Sequence, residues 1–453
     1  MNAKRIGKWV IVLFLLAALP GMTAVMAQGQ EPPVKQLPVA TEVGESAAPE
    51  AVRSEVESNN TMGLADTMFI NDIMTGKIGV VGDIDYFKFQ VPSQKYNPGT
   101  GIEILIDIDA ASIGSTLDAI VCLLDSGGNE LGCDDDSDTL DSLYYRNLYS
   151  GWYYVTVRDF GNSHGGNDHF YNLLVSSPIL VSAAAANLGT GNVAGIPFQA
   201  PDILAHSHVG NNQEKWVMFF DASDVGITKN IWNIGAEGGT PYLFLGFMAN
   251  QSLAKYGGGA NITATPFDVI RFYTYDSHSG GYGDQGIGPS TYGDGFSRYM
   301  QGANNELTAA SEKIDALDGW QAGYADACAG HPVSTVGAAL VTTWVGTFRP
   351  ADEDVFCKWA GAGFGPWQPY YDGSLTAGMA VEDVYAMAYD DTHERLYLTI
   401  LGGGNILAHA VTQKDVFALS YPNRTWYNYV FRGTQHGWNY NIDAIEYSGY
   451  GGW

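Results

Sequence analysis

SEVESNN, residues 54–60, and GDIDYF, residues 82–87, decide how the first half of this chain is read. Side chains at every second position of an extended chain line one face. Glu55, Glu57 and Asn59 therefore present three oxygen-bearing groups in one direction, with Asn60 at the turn that follows. Asp83 and Asp85 share a side in the same way. Such clusters repel unless a cation accepts them. Calcium takes roughly six to eight hard oxygen ligands in adaptable geometry, whereas magnesium demands a tight octahedron and keeps its waters. Two solvated acidic patches are the plain alternative in a chain with 49 acidic and 22 basic residues.

The start of the chain reads as an export signal over residues 1–27. MNAKRIGK is its basic region, WVIVLFLLAALPG its apolar core and AVMA its small-residue cleavage site. Pro20 and Gly21 interrupt the apolar run, which favours a cleaved signal over a retained anchor. No later stretch is apolar enough to span a bilayer. The expected product is secreted, with no membrane attachment after cleavage. Residues 28–53 carry Pro, Ala, Glu and Val without an aromatic residue and read as a disordered linker. A formal net charge of -27 argues against a nucleic-acid partner, which would call for a basic face. With 56 glycines and only 16% charged residues, the rest suits short strands and tight turns, an all-β chain.

Between residues 54 and 178 the segments YFKFQV (86–91), GIEILIDI (101–108), AIVCLL (119–124) and GWYYVTV (151–157) alternate in β fashion between turn residues. That is the pattern of a β-sandwich. Cys122 and Cys133 flank LLDSGGNELG, and a hairpin about Gly127 and Gly128 sets them opposite one another, within reach of a disulfide. Cys328 and Cys357 then pair by elimination, with buried free thiols as the alternative.

These residues bring a family into view. The segment from Ser54 to Ser176 resembles the bacterial pre-peptidase C-terminal (PPC) domain, a calcium-binding β-sandwich. SEVESNN, GKIGVVGDIDYFKFQV, LDAIVCLLDSGGNEL, LYSGWYYVTV and YNLLV carry the likeness, in that order. The resemblance implies that Glu55, Glu57, Asn59, Asn60, Asp83 and Asp85 ligate Ca2+, with a backbone carbonyl near Lys77 added. Members usually follow a secreted peptidase; here the segment precedes a repeat-bearing half. A second acidic run, DDDSD (134–138), with Asp118 and Asp125 nearby, reads as a solvated loop before it reads as a second calcium site.

Residues 179–453 repeat. One element is KNIWNI (229–234), EKIDAL (312–317), VEDVYAM (381–387) and YNIDAI (440–445). Another is PDILAH (201–206), FDVIRF (267–272), EDVFCKW (353–359) and KDVFAL (414–419). An aromatic strand precedes each copy of the first: KWVMFFDAS, FSRYMQGA, WQPYYDGS and TWYNYVFRG. An apolar strand lies between the first and second elements, in PYLFLGF, RLYLTIL and, more weakly, GAALVTTWV. YNIDAI has none after it; the missing strand opens the unit as PILVSAAAANLGTG. A circular offset of this kind predicts a small β-propeller-like domain of about four blades, its last blade completed by the unit's own beginning. An open sandwich, or a ring with an extra degenerate blade, is the alternative. Asp202, Asp268, Asp354 and Asp415 recur at strand starts, where an aspartate accepts turn amides.

No catalytic motif is evident: H-E-x-x-H, G-x-S-x-G and the phosphate-binding loop are all absent. His206 and His208 alternate on a strand without a visible third metal ligand and read as ordinary strand histidines. The long loop 275–296 holds Asp276, His278, Asp284 and Asp294, and the tail adds Trp438, Tyr450 and Trp453. Together they form a candidate ligand-binding surface, the aromatics for stacking on sugars; a merely flexible loop and tryptophans packed in the core are the alternatives. The preferred reading is a secreted, non-catalytic calcium-binding protein whose partner is an extracellular polysaccharide or protein. A secreted hydrolase with a site on one propeller face, and an extracellular assembly subunit, are the alternatives.

Overall fold

The computed structural model describes residues 52–92, 101–135, 141–183, 190–209, 213–236, 242–255, 259–273, 295–305, 307, 314, 316–321, 338–342, 354–361, 363–380, 382–390, 395–421 and 423–447. Among these the chain is all-β: its longest helical turn, Gly302–Asn305, has 4 residues. No helix among them is long and apolar enough to cross a membrane. The expected export signal lies outside the described residues, as do Cys328, Asp276, His278, Asp284, Asp294, Tyr450 and Trp453. Ala47–Trp453 form one compact unit, in which two β-rich parts follow one another.

The first part contains β1 (Val52–Ser54), β2 (Asp66–Thr67), β3 (Asp72–Lys77), β4 (Ile84–Val91) and β5 (Ile102–Asp109). It continues with β6 (Ala119–Leu124), β7 (Glu130–Asp134), β8 (Leu143–Leu148), β9 (Gly151–Asp159) and β10 (Phe170–Ser176). They make two five-stranded sheets, ordered β1-β3-β10-β5-β8 and β2-β4-β9-β6-β7. β1 takes residues 52–54, so the first strand begins inside the expected linker. Alternation along β4 buries Phe87, Phe89 and Val91, which meet Ile104, Ile106, Val121, Val155 and Leu173 in one core. Burying each such side chain contributes about 1.5–3 kcal/mol. The expected hairpin forms: Cys122 stands opposite Cys133, and the two are disulfide-bonded.

The second part starts two residues after β10 with β11 (Ile179–Ala183) and the hairpin β12 (Gly191–Val193) and β13 (Ile196–Phe198). Next come β14 (Ile203–Val209), β15 (Gln213–Phe220), β16 (Ile231–Ala236), β17 (Tyr242–Phe247), and the hairpin β18 (Gln251–Leu253) and β19 (Ile262–Ala264). β20 (Val269–Tyr273), β21 (Gly295–Met300), β22 (Ala316–Gln321), β23 (Ala338–Thr342), β24 (Val355–Gly361) and β25 (Gly363–Tyr371) follow. β26 (Asp383–Asp390), β27 (Arg395–Leu401), the hairpin β28 (Gly404–Ile406) and β29 (His409–Val411), β30 (Asp415–Ser420), β31 (Thr425–Arg432) and β32 (Ile442–Glu446) complete it.

Three four-stranded antiparallel sheets are consecutive in the chain: β16-β17-β20-β21, β22-β23-β24-β25 and β26-β27-β30-β31. The fourth is not. Its order is β15-β14-β11-β32, so the last strand of the chain pairs with the first of this part, Val181 against Ile445. One outer strand of each sheet lies beside its counterparts in a cycle, β32 to β16 to β22 to β26 and back to β32.

The repeated aspartates do what a strand-start aspartate is expected to do. Asp202 accepts the amides of Gln199 and Ala222, and Asp268 those of Thr265 and Gly302. Asp354 accepts from Gly373, and Asp415 from Thr412. Each ties the turn before its strand, or the turn beyond the neighbouring strand, to the sheet.

β5 explains how the two parts meet. All but its last residue are buried, because each face has a cover. Ile102, Ile104, Ile106 and Ile108 face the sandwich core. Leu105 and Tyr145 instead pack with Leu180, Phe219 and Phe220 of the second part, Tyr145 edge-on to Phe219 at 4.9 Å. Lys215 forms ion pairs with Asp107 and, at 2.6 Å, with Asp109. Burial alone would lower the Lys215 pKa, but the two carboxylates outweigh it and raise it. Burial also raises Asp107, more than the Lys215 charge lowers it.

Candidate functional site

The two stretches singled out at the start converge. β1 ends at Ser54; Glu55 still bonds Thr75 through its amide, at 3.0 Å, and the chain then leaves the ladder. Glu55, Glu57 and Asn59 are thus not alternate residues of one strand, as the spacing predicts. They lie on an irregular segment held from both sides. Asp66 accepts the Val56 amide at 2.8 Å and the Asn59 Nδ2 at 3.4 Å, and the Asn59 carbonyl accepts the Tyr86 amide at 3.1 Å.

Asp83 and Asp85 face this segment. Asp85 is on the same side of β4 as Phe87 and Phe89, so it stands at the rim of the sandwich core and is wholly buried. Asp83 follows a tight turn at Gly82, whose φ of +89° favours glycine. Its Oδ2 accepts the Gly79 amide at 2.7 Å and its Oδ1 the Asn60 Nδ2 at 2.6 Å. Oxygens of Glu57, Asp83 and Asp85 lie within 4.8 Å of one another. Tyr171 donates to Asp85 Oδ2 at 2.6 Å and, more weakly, to Glu55 Oε2 at 3.3 Å. Lys77 reaches the group through its amide, which donates to Glu55 Oε1 at 2.9 Å.

Electrostatics leave this group short of positive charge. Burial, then the charges of Glu55 and Asp83, push Asp85 up to about 9 against the Tyr171 hydrogen bond. Burial raises Glu55 as well, with Glu57 adding to it. Two buried oxygens, Asn59 Oδ1 and Asp85 Oδ1, receive no hydrogen bond among the described residues. An oxygen buried without a donor costs about 1–3 kcal/mol. A cation held by these side chains would remove that cost. The donor set is all oxygen, which suits calcium and not a softer metal.

The other candidates fare differently. Trp438 is fully buried, stacked between Phe198 at 5.4 Å and Trp216 at 5.5 Å, so its ring offers no exposed face to a sugar. Asp125 is engaged in its own turn, accepting the amides of Gly127 and Asn129. Asp134 and Asp135 are buried, and Asp134 accepts the Leu143 amide at 2.7 Å; the rest of that acidic run lies outside the described residues. Of Cys357 only the backbone, in β24, is described, so the expected bridge to Cys328 falls outside them too.

One grouping escaped the sequence. His206 meets Glu214 and His436, and no local spacing signals it, because 222 residues separate the last two.

No family model matches the chain, and no curated protein does. Among solved structures, the pre-peptidase C-terminal domain of a collagenase from Bacillus anthracis is a weak structural neighbour. It is 19% identical over 25% of this chain and 94% of that one, with a TM-score of 0.20.

Proposed function

We propose that this chain is an exported, non-catalytic calcium-binding protein that attaches to an extracellular polysaccharide or protein. Its first part is a PPC-like sandwich. Its second is a four-bladed β-propeller-like ring, a reading supported by the cyclic neighbourhood of β16, β22, β26 and β32 and by the sheet shared between the two ends. Radial repetition of four-stranded sheets leaves only short, protected strand edges, and loops on such a scaffold are where binding residues concentrate.

The observation that carries the proposal is the convergence of Glu57, Asp83 and Asp85 oxygens within 4.8 Å of one another, with Asp85 Oδ1 buried and without a hydrogen-bond donor among the described residues. Glu55, Glu57, Asn59, Asp83 and Asp85 would hold the ion, and Asn60, Gly79 and Tyr171 would orient them. The ion would supply counter-charge and a cross-link between the irregular segment and the start of β4. It performs no reaction.

Titration calorimetry of the secreted chain with Ca2+, followed by glycan and matrix-protein arrays in calcium and in EGTA, tests the proposal. One calcium equivalent and selective array binding are expected. A chain that takes up no calcium, or turns over generic glycan, ester or peptide substrates, overturns it.

A further inference from the structure

His206, Glu214 and His436 come from three separate places. His206 lies on β14, Glu214 near the start of β15, and His436 follows the turn Gly433–Gln435 between β31 and β32. One ligand atom from each lies within 4.8 Å of the others. Glu214 divides its carboxylate: Oε1 is 2.5 Å from His436 Nδ1, and Oε2 is 3.7 Å from His206 Nε2.

We propose that these three side chains form a transition-metal site of the Zn2+ class, which fastens the end of the repeat unit to its beginning. Two imidazoles and one carboxylate are the donor set zinc uses when one coordination position is left to water. Calcium and magnesium prefer oxygen and are disfavoured here. Ligands about 2.0–2.1 Å from a tetrahedral ion stand about 3.3 Å apart. The 3.7 Å separation is close to this, and the His436–Glu214 hydrogen bond would open to admit the ion. His436 would then carry its proton on Nε2, leaving Nδ1 free to ligate.

The surroundings hold the ligands in place. His206 is fully buried, its ring 4.4 Å from Trp216 and 5.3 Å from Phe431. Phe431 also stacks on His436 at 5.0 Å. The Trp216 indole Nε1 donates to the His436 carbonyl at 3.2 Å, which fixes the turn that carries the third ligand. Outer-shell contacts of this kind set ligand orientation in metal sites. Glu214 is about a third exposed, so the open position is reached from its side. The grouping shares no residue with the oxygen cluster around Asp83, so the two metals are separable.

The test uses the full secreted chain, stripped with chelator and titrated with Zn2+ and, as a spectroscopic probe, Co2+. One equivalent of each is expected, with the visible absorption of tetrahedral cobalt and a higher Tm in zinc. Loss of an outer-shell partner costs about 10–100-fold in metal affinity; Glu214→Gln and His436→Gln remove ligands and should each weaken binding at least that much, while Asp83→Asn leaves it unchanged. His206→Gln is the third variant; should burial prevent its folding, the two more exposed positions still decide. A folded wild-type chain that binds neither ion overturns the proposal, as does wild-type affinity in either Glu214→Gln or His436→Gln.

Discussion

Asn230 donates through Nδ2 to Asp443 Oδ2 at 2.9 Å, across 213 residues of sequence, with both side chains buried. Asn230 stands just before β16 and Asp443 within β32, so one bond joins the sheet that opens the consecutive series to the sheet that closes it. Asn230→Ala would delete this hydrogen bond to a buried carboxylate, at a cost of about 1.5–3 kcal/mol. A denaturant midpoint equal to wild type would show that this junction adds nothing.

On the proposal that the Asp83 cluster holds calcium, removing the ion should loosen the first part selectively. At an ion concentration about 100 times the dissociation constant, binding adds about 2.7 kcal/mol. EGTA, or Asp83→Asn in calcium, should therefore lower Tm and expose residues 54–60 to protease. Limited proteolysis read by mass spectrometry checks this; an unchanged cleavage pattern in EGTA counts against the site.

The repeated aspartates differ in how they accept. Asp202 uses both oxygens, one for Gln199 and one for Ala222. Asp415 receives the Thr412 amide and hydroxyl on a single oxygen. An asparagine keeps one carbonyl oxygen, so Asp415→Asn should be milder than Asp202→Asn. Alanine at either position should cost about 1–3 kcal/mol. Urea unfolding of the four variants gives the order.

Lys215→Met should weaken the seam between the two parts by at most about 3 kcal/mol, since the pair keeps some contact with solvent. Asp107→Asn added to it should recover part of the loss. The folded-state pKa of Lys215 is raised, so its contribution is complete below 10.5 and is lost as pH climbs through the raised value. The Tm deficit of the variant should hold steady near neutrality and shrink in strong alkali.

Much of this was legible in the residues. Period-two alternation gave the strands, Gly127 and Gly128 the hairpin that sets Cys122 against Cys133, and the missing strand after YNIDAI the pairing of β32 with β11. Asp83 and Asp85 could be singled out because their spacing along an extended chain is fixed by backbone geometry. The conformation of residues 55–60 was not legible. Asp66, which anchors that segment through the Val56 amide, carries no periodic signal.

Local spacing determined which stretches read as strands and which aspartates stand at strand starts, where Asp202, Asp268 and Asp415 accept an amide three residues before them; the bonds to Ala222, Gly302 and Gly373 depend on the neighbouring strand. The tertiary structure decided that Trp438 is core, that β5 is covered on both faces, and that His206 meets His436. Those outcomes depend on which surfaces pack together over distances of hundreds of residues, and no period in the sequence encodes that.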